Sequence, residues 1–131
     1  MATGRKLKWL RRILAVKIAL ILLVWGLPAL LAPSSLFRLL GVPTPDDLLF
    51  VRLFGAIVMA FGVAYWYAYK DPVHNAAIVK AGIADNGLVT LVIFVLTALD
   101  GLRSAFMWVS GLLTFILFVS FVLLMPSTEA A

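Results

Sequence analysis

Four long apolar runs, separated by short polar segments, dominate the pattern of this chain. Each run is close to the roughly 20 residues that an α-helix needs to cross a hydrocarbon core about 30 Å thick. The pattern predicts transmembrane helices at about residues 13–31, 48–69, 72–99 and 102–125. We therefore expect an all-α integral membrane protein in which residues 13–125 form a four-helix transmembrane bundle.

The polar segments carry residues typical of helix boundaries. Residues 34–40 predict a short amphipathic helix in the membrane interface, which Gly41 should end. Residues 44–47 (Thr-Pro-Asp-Asp) have the N-cap, first-turn proline and acids of a helix start. The Asp71-Pro72 pair repeats that signal and predicts that the third span begins at Pro72. Residues 126–131 are left as a short C-terminal tail.

The composition excludes a soluble fold. Of 131 residues, 64% are hydrophobic and 13% are charged, and the mean hydropathy is +1.11. Soluble domains use only about 45–50% apolar residues. We therefore expect the lipid bilayer to be the main partner of the apolar surface of this protein. The chain has no cysteine, which excludes disulfides, thiolate metal sites and cysteine nucleophiles.

The net charge of +5 indicates a membrane orientation rather than nucleic-acid binding, so we expect no nucleic-acid partner. Most of the charge lies in a basic tail at residues 1–12, which holds Arg5, Lys6, Lys8, Arg11 and Arg12. The loops on the opposite side carry only Arg38 and Arg103. Because basic residues accumulate on the cytoplasmic side, we predict a multi-pass inner-membrane protein with cytoplasmic N- and C-termini (N-in/C-in).

Asp85 and Asn86 lie side by side near the middle of the third span. Such groups are costly at membrane depth unless paired, so they mark a functional site by default. Under one hypothesis, Asp85 titrates in an ion, proton or polar-substrate site. Under the other, Asn86 and Thr90 hydrogen-bond a neighbouring helix, and Asp85 is neutral or paired with Lys17, which could instead snorkel to the basic surface. As a third alternative, the Asn86-Gly87 turn signal breaks the helix.

The second span carries a stripe of small residues that recurs every four positions. Its members are Ala56, Ala60, Ala64 and Ala68, and such stripes allow close helix packing in lipid. We predict that this stripe packs within the bundle or against a partner. Residues 65–69 (Tyr-Trp-Tyr-Ala-Tyr) predict an aromatic belt at an interface.

Arg52 lies about one turn inside the start of the second span. It could snorkel outward, or it could form an interface ion pair with one of three acids, Asp46, Asp47 and Asp100.

Few residues are suited to catalysis or cofactor binding. His74 is the sole histidine, and a metal or haem site would need more ligands than it provides. The chain has no Ser/His/Asp constellation, phosphate-binding loop or nucleotide-binding glycine motif. We therefore expect a protein that is not an enzyme and needs no cofactor or metal.

Several short motifs together resemble the small four-span bacterial membrane proteins of the DoxX-like type. They are residues 39–43 (LLGVP), residues 50–55 (FVRLFG), Tyr65-Trp66 with Asp71-Pro72, and the glycine-bearing third span. The resemblance covers most of the chain. It implies a compact four-helix bundle in the inner membrane, in some members associated with quinol-oxidising or other respiratory assemblies. It transfers no catalytic residue set.

Two functional hypotheses follow from the sequence. In the first, the protein is a non-catalytic accessory or interaction subunit of a larger inner-membrane complex, respiratory or otherwise energy-transducing. Its partners are then other membrane protein subunits or further copies of itself. In the second, it is a small homo-oligomeric transporter or channel, with Asp85 and Asn86 in the conduction or binding path.

Overall fold

The protein is an all-α bundle of membrane-length helices. The structure is a computed structural model that describes residues 2–101 and 104–126, without the side chains of residues 2 and 3. In chain order its elements are α1 (Ala2–Leu20), a π-helical segment (Ile21–Gly26), α2 (Leu27–Leu31), α3 (Ser34–Leu39), α4 (Leu49–Lys70), α5 (Ala76–Asp100) and α6 (Ala105–Leu124). Four helices are long and apolar enough to cross a membrane, namely Gly4–Leu31, α4, α5 and α6. The predicted fold class is confirmed.

The helix that contains the first predicted span also includes the basic segment. We expected a tail up to residue 12, but α1 starts at Ala2 and continues without a break into the apolar run. Leu10 and Leu14 are fully buried in one cluster with Ala68 of α4 and Val79 of α5. Burial of these leucines extends the helix beyond the predicted membrane boundary.

The π-helical segment lies directly before Pro28. A proline in a helix lacks the N–H that would bond the carbonyl of Val24, and its ring clashes with that carbonyl. A π-turn widens the helix at such a position. Helix α4 packs closely against this segment, since a Cβ atom added to Gly26 would lie 2.7 Å from Sδ of Met59.

The connection between the first two spans agrees in part with the prediction. The predicted short helix is present as α3, with Phe37 buried, and it ends at Leu39. The turn that follows contains Gly41, whose φ of +66° favours glycine. Helix α4 starts at Leu49, later than the Thr-Pro-Asp-Asp signal suggested. Oδ1 of Asp47 accepts the N–H of Leu49 at 2.8 Å, so this acid caps α4 from outside the helix.

Helix α5 begins at Ala76, four residues after the predicted start at Pro72. Oδ1 of Asp71 accepts the N–H of His74 at 3.1 Å, and its carbonyl accepts the N–H of Asn75 at 3.1 Å. These bonds close a separate turn ahead of the helix. Helix α5 then runs unbroken through Asp85, which excludes the broken-helix alternative.

Helix α6 is anchored at its start by Ser104. The Ser104 hydroxyl donates to the carbonyl of Leu40 at 2.7 Å and accepts the N–H of Met107 at 3.4 Å. Its first turn is thereby capped and tied to the end of α3. The predicted span start at residue 102, the loop residue Arg103 and tail residues 127–131 lie outside the described residues.

The first span packs most extensively against α4 and also contacts α6, and α5 packs along α6. Helices α4 and α5 contact each other sparsely, although only a short turn joins them. The buried core therefore lies where the first span meets the other three helices. It consists of Leu10, Leu14, Ile21, Tyr65, Ala68, Val79 and Phe121.

Candidate functional site

Polar side chains from three spans form a cluster inside the bundle. This central polar cluster consists of Lys17 of α1, Tyr65 of α4, and Asp85 and Asn86 of α5. Nζ of Lys17 donates to Oδ2 of Asp85 at 3.2 Å and to Oδ1 of Asn86 at 2.8 Å. The pairing of Lys17 with Asp85, one of the sequence-based alternatives, is present in the structure.

Lys17 lies inside the bundle and does not snorkel to the basic surface. Its side chain is 5% exposed, and Nζ lies 5.0 Å from the ring centroid of Trp25 and 5.5 Å from that of Tyr65. A cation held over aromatic faces is attracted by their quadrupoles. Two oxygen acceptors and two rings therefore replace the water that snorkelling would have supplied.

Tyr65 is a member of the cluster that the sequence analysis missed. Its hydroxyl donates to Oδ2 of Asp85 at 3.2 Å, and its fully buried ring stacks on Phe121 at a centroid distance of 6.0 Å. The sequence pattern places Tyr65 in the predicted aromatic belt, but its belt neighbours Trp66 and Tyr67 are exposed. The available signal was its spacing from Gly62 and Ala68, which places Tyr65 on the inner face of α4.

Asn86 and Thr90 connect the cluster to α6. Nδ2 of the fully buried Asn86 donates to the carbonyl of Gly82 at 2.7 Å. Oγ1 of Thr90 lies 2.7 Å from the carbonyl of Asn86 and 2.8 Å from Oγ1 of Thr114. Oγ1 of Thr114 lies 3.0 Å from the carbonyl of Gly111. Each hydroxyl has one proton, so two of these three bonds form at any time.

Asp85 is the member of the cluster that reaches the surface of the bundle. Its side chain is 29% exposed, against 5% for Lys17. The neighbouring surface of α5 is formed by small residues, since Ala77, Ala81 and Ala84 are all exposed. We call these three alanines and the edge of Asp85 the α5 small face.

Arg52 does not form the predicted ion pair with Asp46, Asp47 or Asp100. Its guanidinium donates to the carbonyl of Ala29 at 3.0 Å and to that of Ala32 at 2.7 Å. Residue 33 is proline and has no N–H to continue the helix, so the carbonyl of Ala29 lacks its usual partner. Arg52 satisfies the end of the first span and fixes it to α4.

The alanine stripe is divided between the core and the surface. Ala68 is buried, Ala64 is half-buried, and Ala56 and Ala60 are exposed. Inside the bundle, the close approach is made by Gly55 instead, where an added Cβ would lie 2.7 Å from the backbone nitrogen of Leu30. Only the end of the stripe near Ala68 packs within the bundle.

His74 lies in the exposed turn before α5. Its Nδ1 is 2.7 Å from Oδ2 of Asp71. The hydrogen bond from the His74 backbone N–H, reinforced by this side-chain contact, lowers the pKa of Asp71 below its usual value. Across residues 2–101 and 104–126, no three histidine or carboxylate groups are placed to hold a metal ion.

Comparisons with protein-family models, with curated proteins and with solved structures find no match. The chemistry of the central polar cluster therefore follows from its own residues. A positive and a negative group form a pair of zero net charge, and the surrounding amide, hydroxyl and rings solvate it. Within the part of the chain that the structure describes, every buried side-chain nitrogen and oxygen has a hydrogen-bond partner.

Proposed function

We propose that this protein is a small, non-catalytic accessory or interaction subunit of a larger inner-membrane complex, respiratory or otherwise energy-transducing. The observation that carries the proposal is the α5 small face, where a partly exposed carboxylate lies beside three exposed alanines at membrane depth. Another membrane helix packed there would cover the carboxylate and use the close approach that small residues permit.

The α5 small face differs from most of the exposed surface of α4 and α5. Their other exposed positions carry mostly large apolar side chains, such as Ile57, Val63 and Leu88, which suit contact with lipid. The exposed Ala56 and Ala60 on α4 depart from that pattern in the same way as the α5 small face. Two outward surfaces on neighbouring helices therefore favour contact with protein.

The internal pairing of the central polar cluster supports a structural role for it. Lys17, Asn86 and Tyr65 are buried, and they are bonded to one another, to Asp85 or to the helix backbone. A group that binds a passing substrate needs donors or acceptors that are not already used by the protein. The cluster is better suited to holding the first span, α4 and α5 in register.

The orientation and the family relationship belong to the same proposal. Arg11 donates to the carbonyl of Lys70 at 3.1 Å, so the basic start of α1 and the end of α4 share one end of the bundle. We place that end in the cytoplasm, because it carries most of the basic residues. The four-span architecture is compatible with the DoxX-like resemblance, which also suggests an inner-membrane partner.

The proposal is tested by enlarging the exposed alanines of the α5 small face. The double variant Ala77→Leu/Ala81→Leu changes exposed positions and should fold normally, because leucine is acceptable to lipid, but it should lose its partner. The matched control is Ala19→Leu/Ala98→Leu, which makes the same changes at exposed positions of α1 and α5. The readout is the stoichiometry of the co-purified partner after mild detergent extraction from native membranes.

Wild type and control should retain the partner, whereas the stoichiometry of the partner should fall at least tenfold in the variant of the α5 small face. Equal retention by all three proteins would refute an interaction through this surface.

A second candidate function is a small homo-oligomeric transporter or channel. The partial exposure of Asp85 favours it, since a substrate could reach one carboxylate oxygen while Lys17 holds the other side of the group. Asp85→Asn and Asn86→Ala should then abolish proton- or ion-coupled flux in liposomes. Thr97→Ala is the control, because the Thr97 hydroxyl donates to the carbonyl of Ile93 in its own helix and lies outside the central polar cluster. Unchanged flux in both variants would eliminate this candidate.

A further inference from the structure

A cavity of about 430 Å³ lies at the N-terminal end of the first span, against the end of α4. We call it the basic cavity, and its principal lining residues are Leu7, Lys8, Arg11, Arg12, Ala15 and Tyr69. Lys8, Arg12 and Ala15 are three and four residues apart on α1, so they lie along one face of the helix. The cavity thus joins three cations to an aromatic side chain.

No acidic residue that the structure describes lies close enough to compensate the positive charge of the basic cavity. Ion pairs within 4.0 Å among the described residues join Lys17 to Asp85 and His74 to Asp71. Neither involves a cation of the cavity. An anion from outside the chain would neutralise this charge.

Contacts within the protein already orient the two arginine side chains of the basic cavity. The Arg12 guanidinium lies 4.9 Å from the ring centroid of Trp9, and Arg11 donates through one nitrogen to the carbonyl of Lys70. An arginine held in this way loses less side-chain entropy when its remaining N–H groups bind a phosphate.

The cavity lies at the level of the membrane interface. Tyr69 and Trp66 stack on each other at 5.6 Å, in the aromatic belt that ends α4, and such belts lie at headgroup depth. Beyond the cavity along α1, Val16 and Leu22 are exposed and apolar, as contact with acyl chains requires. The cavity therefore offers positive charge at headgroup depth and apolar surface below it.

We propose that the basic cavity binds the phosphate headgroup of an anionic glycerophospholipid, with Lys8 and Arg12 as the principal phosphate ligands. The site is independent of the central polar cluster and of the proposed partner surface. Phosphatidylglycerol should occupy it in preference to zwitterionic lipid, because its headgroup brings no cation into the cavity.

The proposal is tested by native mass spectrometry of the detergent-solubilised full chain. The protein is titrated with phosphatidylglycerol, with phosphatidylcholine of the same acyl chains, and with inorganic phosphate as competitor. The test variant is Lys8→Gln/Arg12→Gln. The control Arg38→Gln/Lys80→Gln removes two exposed charges that lie outside the cavity. Arg11 is left in place because it bonds the end of α4.

Wild type should bind phosphatidylglycerol at least tenfold more tightly than phosphatidylcholine. The test variant should lose about fivefold in affinity per removed charge, and the control should stay within about threefold of wild type. Equal affinity for the two lipids would overturn the proposal, and this comparison needs no variant. Equal losses of affinity in both variants, or displacement of the lipid by equimolar inorganic phosphate, would also overturn the proposal.

Discussion

At the scale of single residues, the central polar cluster is held together by complementary groups that would each be costly alone. Lys17 and Asp85 are both removed from bulk water, with 5% and 29% of their side chains exposed. Removing one member of a buried ion pair leaves the other uncompensated, whereas replacing both is much less damaging. The cluster should therefore respond to substitution as a unit.

The variant Lys17→Met should lower the free energy of unfolding by about 3 kcal/mol, because it strands Asp85 with only Tyr65 as partner. The double variant Lys17→Met/Asp85→Asn should recover at least half of that loss, since no charge remains to be stranded. Unfolding in mixed micelles titrated with denaturing detergent measures both. Equal losses in the single and double variants would show that the two residues are not coupled.

The Tyr65 hydroxyl should contribute a smaller amount. Tyr65→Phe removes the bond to Asp85 and keeps the stacked ring, so we expect a loss of about 0.6–2 kcal/mol in the same titration. Tyr67→Phe, on the exposed face of α4, is the matched control and should change stability little. A result in which the two variants behave alike would argue against a role for Tyr65 in the cluster.

At the scale of elements, glycines set how closely the first span approaches α4. The end of α2 and Gly55 are in direct backbone contact, and Arg52 bonds the carbonyls of Ala29 and Ala32 on the same side. Close packing and a charged anchor thus act at one crossing. The sequence indicated a stripe of alanines on α4, but the closest approach to the first span is made by Gly55, which lies outside that stripe.

Gly55→Ala should separate the first span from α4. An added Cβ meets backbone atoms of Leu30 and Ala29 at 2.7 and 3.0 Å, and backbone cannot rotate away as a side chain can. We expect a loss of about 1–3 kcal/mol in the free energy of unfolding. The control Gly4→Ala, where the added Cβ meets nothing within 4 Å, should be neutral or stabilising by up to about 1 kcal/mol. Equal stability of the two variants would contradict the close packing of the first span against α4.

At the scale of the whole molecule, the four-span architecture was predictable because the length and apolarity of a span are local properties of the chain. The partners of Asp85 and Arg52 were not, because they depend on how each helix is rotated about its axis. The bonds from Arg52 to the end of α2 and the burial of Tyr65 arise only when the helices pack. The sequence left Lys17 as one alternative partner for Asp85 and missed Tyr65.

The proposed orientation can be checked directly, because the natural chain has no cysteine to interfere. Lys6→Cys and Pro45→Cys place single thiols at exposed positions on the two sides of the first span. With the N-terminus in the cytoplasm, a membrane-impermeant maleimide should label Pro45→Cys in intact spheroplasts. It should label Lys6→Cys only after permeabilisation, and the reverse pattern would invert the topology.

The size of the protein's particles in native membrane distinguishes a subunit of a larger assembly from a protein that acts alone. The untagged wild-type protein is extracted in polymer-bounded native nanodiscs, and the mass and protein content of its particles are measured. We expect a defined particle that contains a second polypeptide in fixed stoichiometry with this chain. Particles that contain only this chain, as a monomer or as whole multiples of it, would contradict the proposed role as a subunit.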